Sequence, residues 1–166
     1  MIVAFTKADL SEMERLGCEK LANANRLGTP HINRFRQDRI EGYVDGFKGE
    51  WAVADALGIP RDPNVTGRAD DGADVRLPDG AGINVRFTPY KTGKLMCPAN
   101  RPIKAKWAVL VVGTDDPMRV RIIGGVSTRK FYEFAHTKDF GYGETRFMEQ
   151  DELTPWEKIA QRYLPS

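Results

Sequence analysis

The residues whose types and spacing could do chemistry lie between positions 49 and 88. Glu50 sits in a helical apolar pattern, with Phe47, Ala54 and Leu57 at offsets of minus three, plus four and plus seven. Those offsets share one helix face, so Glu50 points toward the body of the protein. A carboxylate there needs a partner, a metal or water. Downstream, GADVRL and GINVRFT alternate apolar and polar residues, as half-buried strands do. Pro78-Asp79-Gly80 is a turn signal and joins them as a hairpin. With the apolar sets on the core face, Asp74, Asn84 and Arg86 share the opposite one. Carboxylate and amide oxygens are what Mg²⁺ takes as ligands, and a guanidinium fits phosphate oxygens. Each residue also has a plainer reading. Glu50 can pair with Arg86 or Lys48, Asp74 and Arg86 can form a cross-strand ion pair, and Asn84 can belong to a polar sheet face.

The spacing resembles the PD-(D/E)XK nuclease superfamily, the restriction-endonuclease-like fold. Glu50 matches that family's helical acid and Asp74 its strand-start Asp. Asn84 falls on the second acid and Arg86 on the Lys. The likeness covers residues 46 to 126 and extends to small phage-encoded members, whose third motif can read E-V-R. It implies a metal-dependent DNA endonuclease or exonuclease, with Mg²⁺ or Mn²⁺ held by Glu50, Asp74 and Asn84. Arg86 would steady the phosphate. Two positions depart from the pattern. Asn84 is neutral where an acid is usual, which lowers metal affinity, and Arg86 stays protonated and cannot act as a base. The alternative reading is therefore a catalytically inactive nuclease-fold protein, acting as a DNA-binding or assembly module. A third is a structural homodimer joined through the N-terminal helix.

The charge distribution supports nucleic acid more than the total does. The net charge is only +2 over 166 residues. Yet from Gly80 to Thr114 there is no Asp or Glu, while Arg86, Lys91, Lys94, Arg101, Lys104 and Lys106 all occur. Asp62, Asp70, Asp71, Asp74 and Asp79 crowd just before. Acidic metal ligands beside basic phosphate contacts suit a metal-assisted phosphodiester site, and the plainer reading is a solvated charged loop. Lys91, Lys94 and Arg101 are the candidate phosphate contacts of that loop. Arg34, Arg36 and Arg39 around Phe35 form a second basic segment with an interleaved aromatic, or a solvated helix face.

The remaining composition is ordinary for a globular chain, 41% apolar and 29% charged. No run of about 18 apolar residues exists, so no membrane span is expected. The first residues lack a basic segment and turn acidic, unlike a signal peptide. Cys18 and Cys97 have no zinc-like spacing and read as idle thiols of a cytoplasmic protein, host cytoplasm if phage-encoded.

The elements that must position the site follow in order. A helix is expected over 9–27, capped by Asp9 or Ser11 and ended by Gly28, then the Glu50 helix over 43–58. The hairpin of 73–88 precedes a long functional loop, 89–104. Strands follow at 105–113 and 118–126, then a short helix capped by Ser127 and a strand around Thr145 to Met148. A last helix over 155–163 has Thr154 to Glu157 as its capping box. This order predicts an α/β (α+β) single domain with a mixed central sheet flanked by helices. Residues 1–45 form an N-terminal helical extension on a core of 46–166.

Overall fold

The computed structural model describes residues 1–28, 39–63, 72–141 and 143–163. It is a mixed α/β domain. Strand β1 (Ile2–Ala4) leads into helices α1 (Lys7–Leu27) and α2 (Arg39–Leu57). The hairpin β2 (Val75–Arg76) and β3 (Gly82–Thr88) follows, then β4 (Leu95–Pro98), β5 (Trp107–Gly113) and β6 (Arg119–Ser127). Helix α3 (Thr128–Phe134), strands β7 (His136–Asp139) and β8 (Glu144–Met148), β9 (Thr154–Pro155) and helix α4 (Trp156–Ala160) complete it.

The main sheet runs β1-β6-β5-β3-β2, with β9 also paired to β6. β3 and β5 are parallel, and the other pairs are antiparallel. A second antiparallel sheet runs β4-β8-β7.

Central strand β5 sorts the core by alternation. Val109 and Val111 enter a cluster with Phe47, Trp51 and Val53 of α2, Met13 and Leu16 of α1, and Trp156 and Ile159 of α4. Ala108, Leu110 and Val112 enter a second cluster with Leu95, Cys97, Phe131 and Met148. The sheet is therefore apolar on both faces, which its WAVLVVG sequence requires. A register shift between Leu110 and Val111 leaves Ile123 unpaired in β6. That one extra residue lets Val120 and Ile122 face the first cluster and Val126 the second. Gly124 follows because β9 passes close by: a Cβ there would sit 2.2 Å from the Thr154 carbonyl oxygen.

Several local expectations change. Thr6 caps α1, its hydroxyl accepting from the Asp9 amide, while Asp9 answers as the third residue of the capping box. Asp9 or Ser11 as the cap is corrected, because the apolar periodicity gives no sign of the first helical turn. Gly28 ends the helix at φ 64° as expected. α2 begins at Arg39 rather than 43. Thr154 is not a helix cap: with Pro155 it is a strand residue against β6, and α4 stops at Ala160. The segment 89–104 is not wholly loop, since it contains β4. β1 and β7 are strands that the alternation rule does not mark. Residues 1–45, read as an extension, contribute β1 to the sheet and Met13 and Leu16 to the core. No helix among the described residues is long and apolar enough to cross a membrane.

Candidate functional site

Helix α2 reaches the sheet through a glycine. A Cβ on Gly49 would meet Val85 Cγ1 and Phe87 Cβ at 3.1 Å, so the absent side chain sets how closely α2 lies on β3. The next residue, Glu50, is carried to the edge of that contact. Beyond the helix, Arg61 fixes the returning chain. Its guanidinium grips Asp55 at 2.7 and 2.6 Å, reaches Asp9 at the start of α1, and lies 4.6 Å from the Trp51 ring centroid. Three hydrogen-bonded contacts to Thr6 and Arg61 hold the Asp9 carboxyl down at about 2.

These constraints leave a cavity of 200 Å³ between the second half of α2, residues 59–62 and residues 73–76. Glu50, Asp62 and Asp74 line it, with Arg76 and the apolar Ile59 and Pro60. The sequence-derived pairing of Glu50 with Asp74 is thus present as two half-buried carboxylates on one cavity.

Asp74 also does structural work. Its amide donates to the Ile83 carbonyl at 2.8 Å, one residue before β2 begins. Its Oδ2 accepts from the Val85 amide at 2.7 Å and from Asn84 Nδ2 at 2.9 Å. The carboxylate therefore replaces backbone pairing where the hairpin opens. Asn84 Nδ2 donates as well to the Gly72 carbonyl at 3.2 Å. Both contacts require the amide nitrogen, so Asn84 meets Asp74 as a donor and not through its carbonyl oxygen. Asn84 Oδ1 is buried with no hydrogen-bond partner among the described residues.

Arg86 goes elsewhere. In the parallel register Asn84 lies beside Ala108 and Arg86 beside Leu110, residues of the second cluster. α2 covers the other face, at Val85 and Phe87. Arg86 thus faces β4 and β8, in a second cavity of 630 Å³. Arg101 lines it too, on a turn closed by its amide donating to the Pro98 carbonyl at 3.0 Å. Among the described residues neither guanidinium has an acidic partner, and Arg86 Nε and Arg101 Nη2 are buried without a hydrogen bond. Burial, and then the neighbouring charge of Arg86, push the Arg101 pKa down. Neither the expected Asp74–Arg86 ion pair nor a contact of Glu50 with Arg86 forms.

The other basic candidates are divided. Lys94 lines the Arg86 cavity but is ion-paired with Glu149, and Lys91 is ion-paired with Asp115 outside it. Two cations of the acid-free stretch are therefore answered by acids from later segments. Arg34 and Arg36 lie outside the described residues, as do Asp70 and Asp71. Cys18 is exposed and Cys97 buried, its Sγ 3.1 Å from the Arg101 carbonyl. No group of three or more His, Cys, Asp or Glu side chains converges to hold a metal among the described residues. Comparisons with protein-family models, curated proteins and solved structures find no match.

Proposed function

We propose that the protein is a metal-dependent hydrolase of DNA phosphodiesters on a restriction-endonuclease-like fold. The observation that carries this reading is the shared cavity of Glu50 and Asp74. Two carboxylates suit Mg²⁺, which commonly keeps several waters and takes one or two carboxylates together with substrate phosphate oxygens. Asp74 would hold the ion, with Glu50 adding a direct or water-bridged contact. Asn84 orients Asp74 by donating to it. A bound divalent ion supplies a water of lowered pKa and a clamp on phosphate oxygen. Arg86, in the second cavity, serves to hold backbone and not as a base.

The experiment is a cleavage assay on linear, nicked and branched DNA with Mg²⁺ or Mn²⁺, using the native protein and Asp74→Asn. Asn keeps an oxygen for the Val85 amide but removes the charge. Cleavage lost with DNA binding retained supports the reading. Equal cleavage by both contradicts it.

A second reading, a non-catalytic DNA-binding or assembly module, is favoured by a specific contact. The Asp74 oxygen that accepts two N–H groups is already committed to holding the hairpin. That reading predicts binding that is metal-independent and steeply salt-dependent.

A further inference from the structure

The second cavity has a feature the cleavage reading does not use. Two guanidiniums converge in it, each with a buried N–H lacking a partner. Burying like charges side by side is unfavourable, and an unmade hydrogen bond on a buried donor adds to the cost. None of the described residues lining the cavity is acidic. Lys94 adds an ammonium whose charge is shared with Glu149. An anion entering the cavity would relieve the repulsion between the two guanidiniums that line it.

The walls narrow the choice of anion. Arg binds planar or tetrahedral oxyanions through paired N–H groups. Around the charged floor stand Tyr90, 73% exposed, and Phe140, which meets Phe147 edge-on at 5.5 Å between centroids. An exposed aromatic next to a basic floor provides a stacking surface for a flat base above its phosphate. The volume, 630 Å³, is that of a site for a ligand larger than a lone ion.

We propose that the Arg86–Arg101 cavity binds a nucleotide unit of single-stranded DNA, its phosphate on the two guanidiniums and its base against Tyr90 or Phe140. The nucleotide identity rests on the nucleic-acid reading above, whereas phosphate binding does not. The site needs no metal, so it is tested in EDTA.

The test measures fluorescence anisotropy of a labelled oligothymidylate in EDTA at low salt, with thymidine 5′-monophosphate, thymidine and inorganic phosphate as competitors. The expected result is competition by the monophosphate and, more weakly, by phosphate, with none by thymidine. Arg86→Gln and Arg101→Gln should each weaken oligonucleotide binding by about tenfold or more. Each should flatten the salt dependence by about 0.7 in log–log slope. Lys106→Gln removes an equal charge from an exposed position that does not line the cavity. It should weaken binding by less than about twofold if the cavity holds the strand. Equal losses in all three variants, or no competition by the monophosphate at millimolar concentration, would overturn the proposal. Competition by inorganic phosphate as strong as by the monophosphate would reduce the site to an anion site and overturn the nucleotide assignment.

Thermal unfolding guards against misfolded variants. Without ligand, Arg101→Gln should melt higher than the native protein, because it removes one of two like charges that share the cavity. Phosphate should raise the native melting temperature and leave that of Arg101→Gln unchanged. A native protein insensitive to phosphate would contradict the proposal even if the variants did not fold. Competition by the monophosphate in EDTA from a native protein that shows no metal-dependent cleavage would mean failure of the cleavage reading alone, and cleavage without that competition failure of this proposal alone.

Discussion

The two cavities differ in charge, in what closes them and in how their residues are partnered. The Glu50–Asp74 cavity is walled by α2 and by a chain segment that Arg61 ties to two acids. Its acidic residue Asp74 is anchored by hydrogen bonds to β3. The Arg86–Arg101 cavity lies over the second sheet, and its two guanidiniums share it without an acidic partner among the described residues, each with a buried donor unmet. One region is built to hold carboxylates in place. The other keeps positive charge together at a cost in stability, which points to a ligand. Position along β3 explains the separation: Asp74 is bound at the start of the strand by Asn84 and Val85, whereas Arg86, on the same face as Asn84 but farther along, lies beside Leu110 and the second cluster.

The largest expected effects come from breaking the anchored acid. Asp74→Ala should abolish cleavage and also destabilise the fold by about 1–3 kcal/mol, since the Val85 amide and Asn84 both lose an acceptor. Asp74→Asn should abolish cleavage with a smaller loss on thermal unfolding. Equal stability losses in the two variants would mean that the hydrogen bonds are not what the carboxylate contributes.

Asn84→Asp sharpens the contrast by placing a second acid against Asp74. Like charges at that distance raise the pKa of one carboxyl. The sign is then destabilising at neutral pH and relieved as pH falls and the raised group protonates. The expected loss is about 1–2 kcal/mol without metal, recovered on adding Mg²⁺, with stronger metal binding. A variant whose stability is blind to Mg²⁺ would argue against an ion in that cavity.

Gly49→Val tests whether the α2 contact shapes only the acidic side. The added methyl groups would press on Val85 and Phe87, which even a lone Cβ there would meet at 3.1 Å. The expected cost is about 1–3 kcal/mol, and because Phe87 lines the Arg86 cavity, phosphate binding should weaken together with metal binding.

The smallest effect concerns the Asp9–Arg61 tie. The Asp9 carboxyl is lowered from 3.8 to about 2 in the fold. Its contribution is therefore complete above the unfolded pKa near 4 and lost as pH falls through 2. After solvent screening it is worth about 1 kcal/mol. The two Thr6 hydrogen bonds hold most of that shift and Arg61 the rest. Arg61→Gln should therefore remove only the smaller part of the acid sensitivity and Thr6→Ala the larger, as read from urea unfolding between pH 5 and 2, roughly the window the shift defines.

Much of this was legible in the sequence where periodicity was long. The two helices, the hairpin around Pro78-Asp79-Gly80, strands β5 and β6 and the Ser127 cap all follow from apolar spacing and turn chemistry. β1 and β9 escape because three- and two-residue strands are too short to show a period. β7 escapes because His136–Asp139 is exposed throughout. β4 was hidden by Pro98 and the surrounding basic residues, and with it the position of Arg101. Periodicity placed Glu50 and Asp74 each on its own element, and the resemblance to the nuclease superfamily is what paired them. That Arg86 leaves them could not be read, because it shares Asn84's face and only the packing of β4 and β8 beside it, which the sequence does not show, places it in a separate cavity.

The most direct test of the two-cavity account is Mn²⁺ binding by titration calorimetry to the native protein, Asp74→Asn and Arg86→Gln. The account predicts binding by the native protein and by Arg86→Gln, and none by Asp74→Asn. Unaltered binding in Asp74→Asn, or no native binding up to about millimolar metal, the weak end for oxygen-ligand sites, would contradict it.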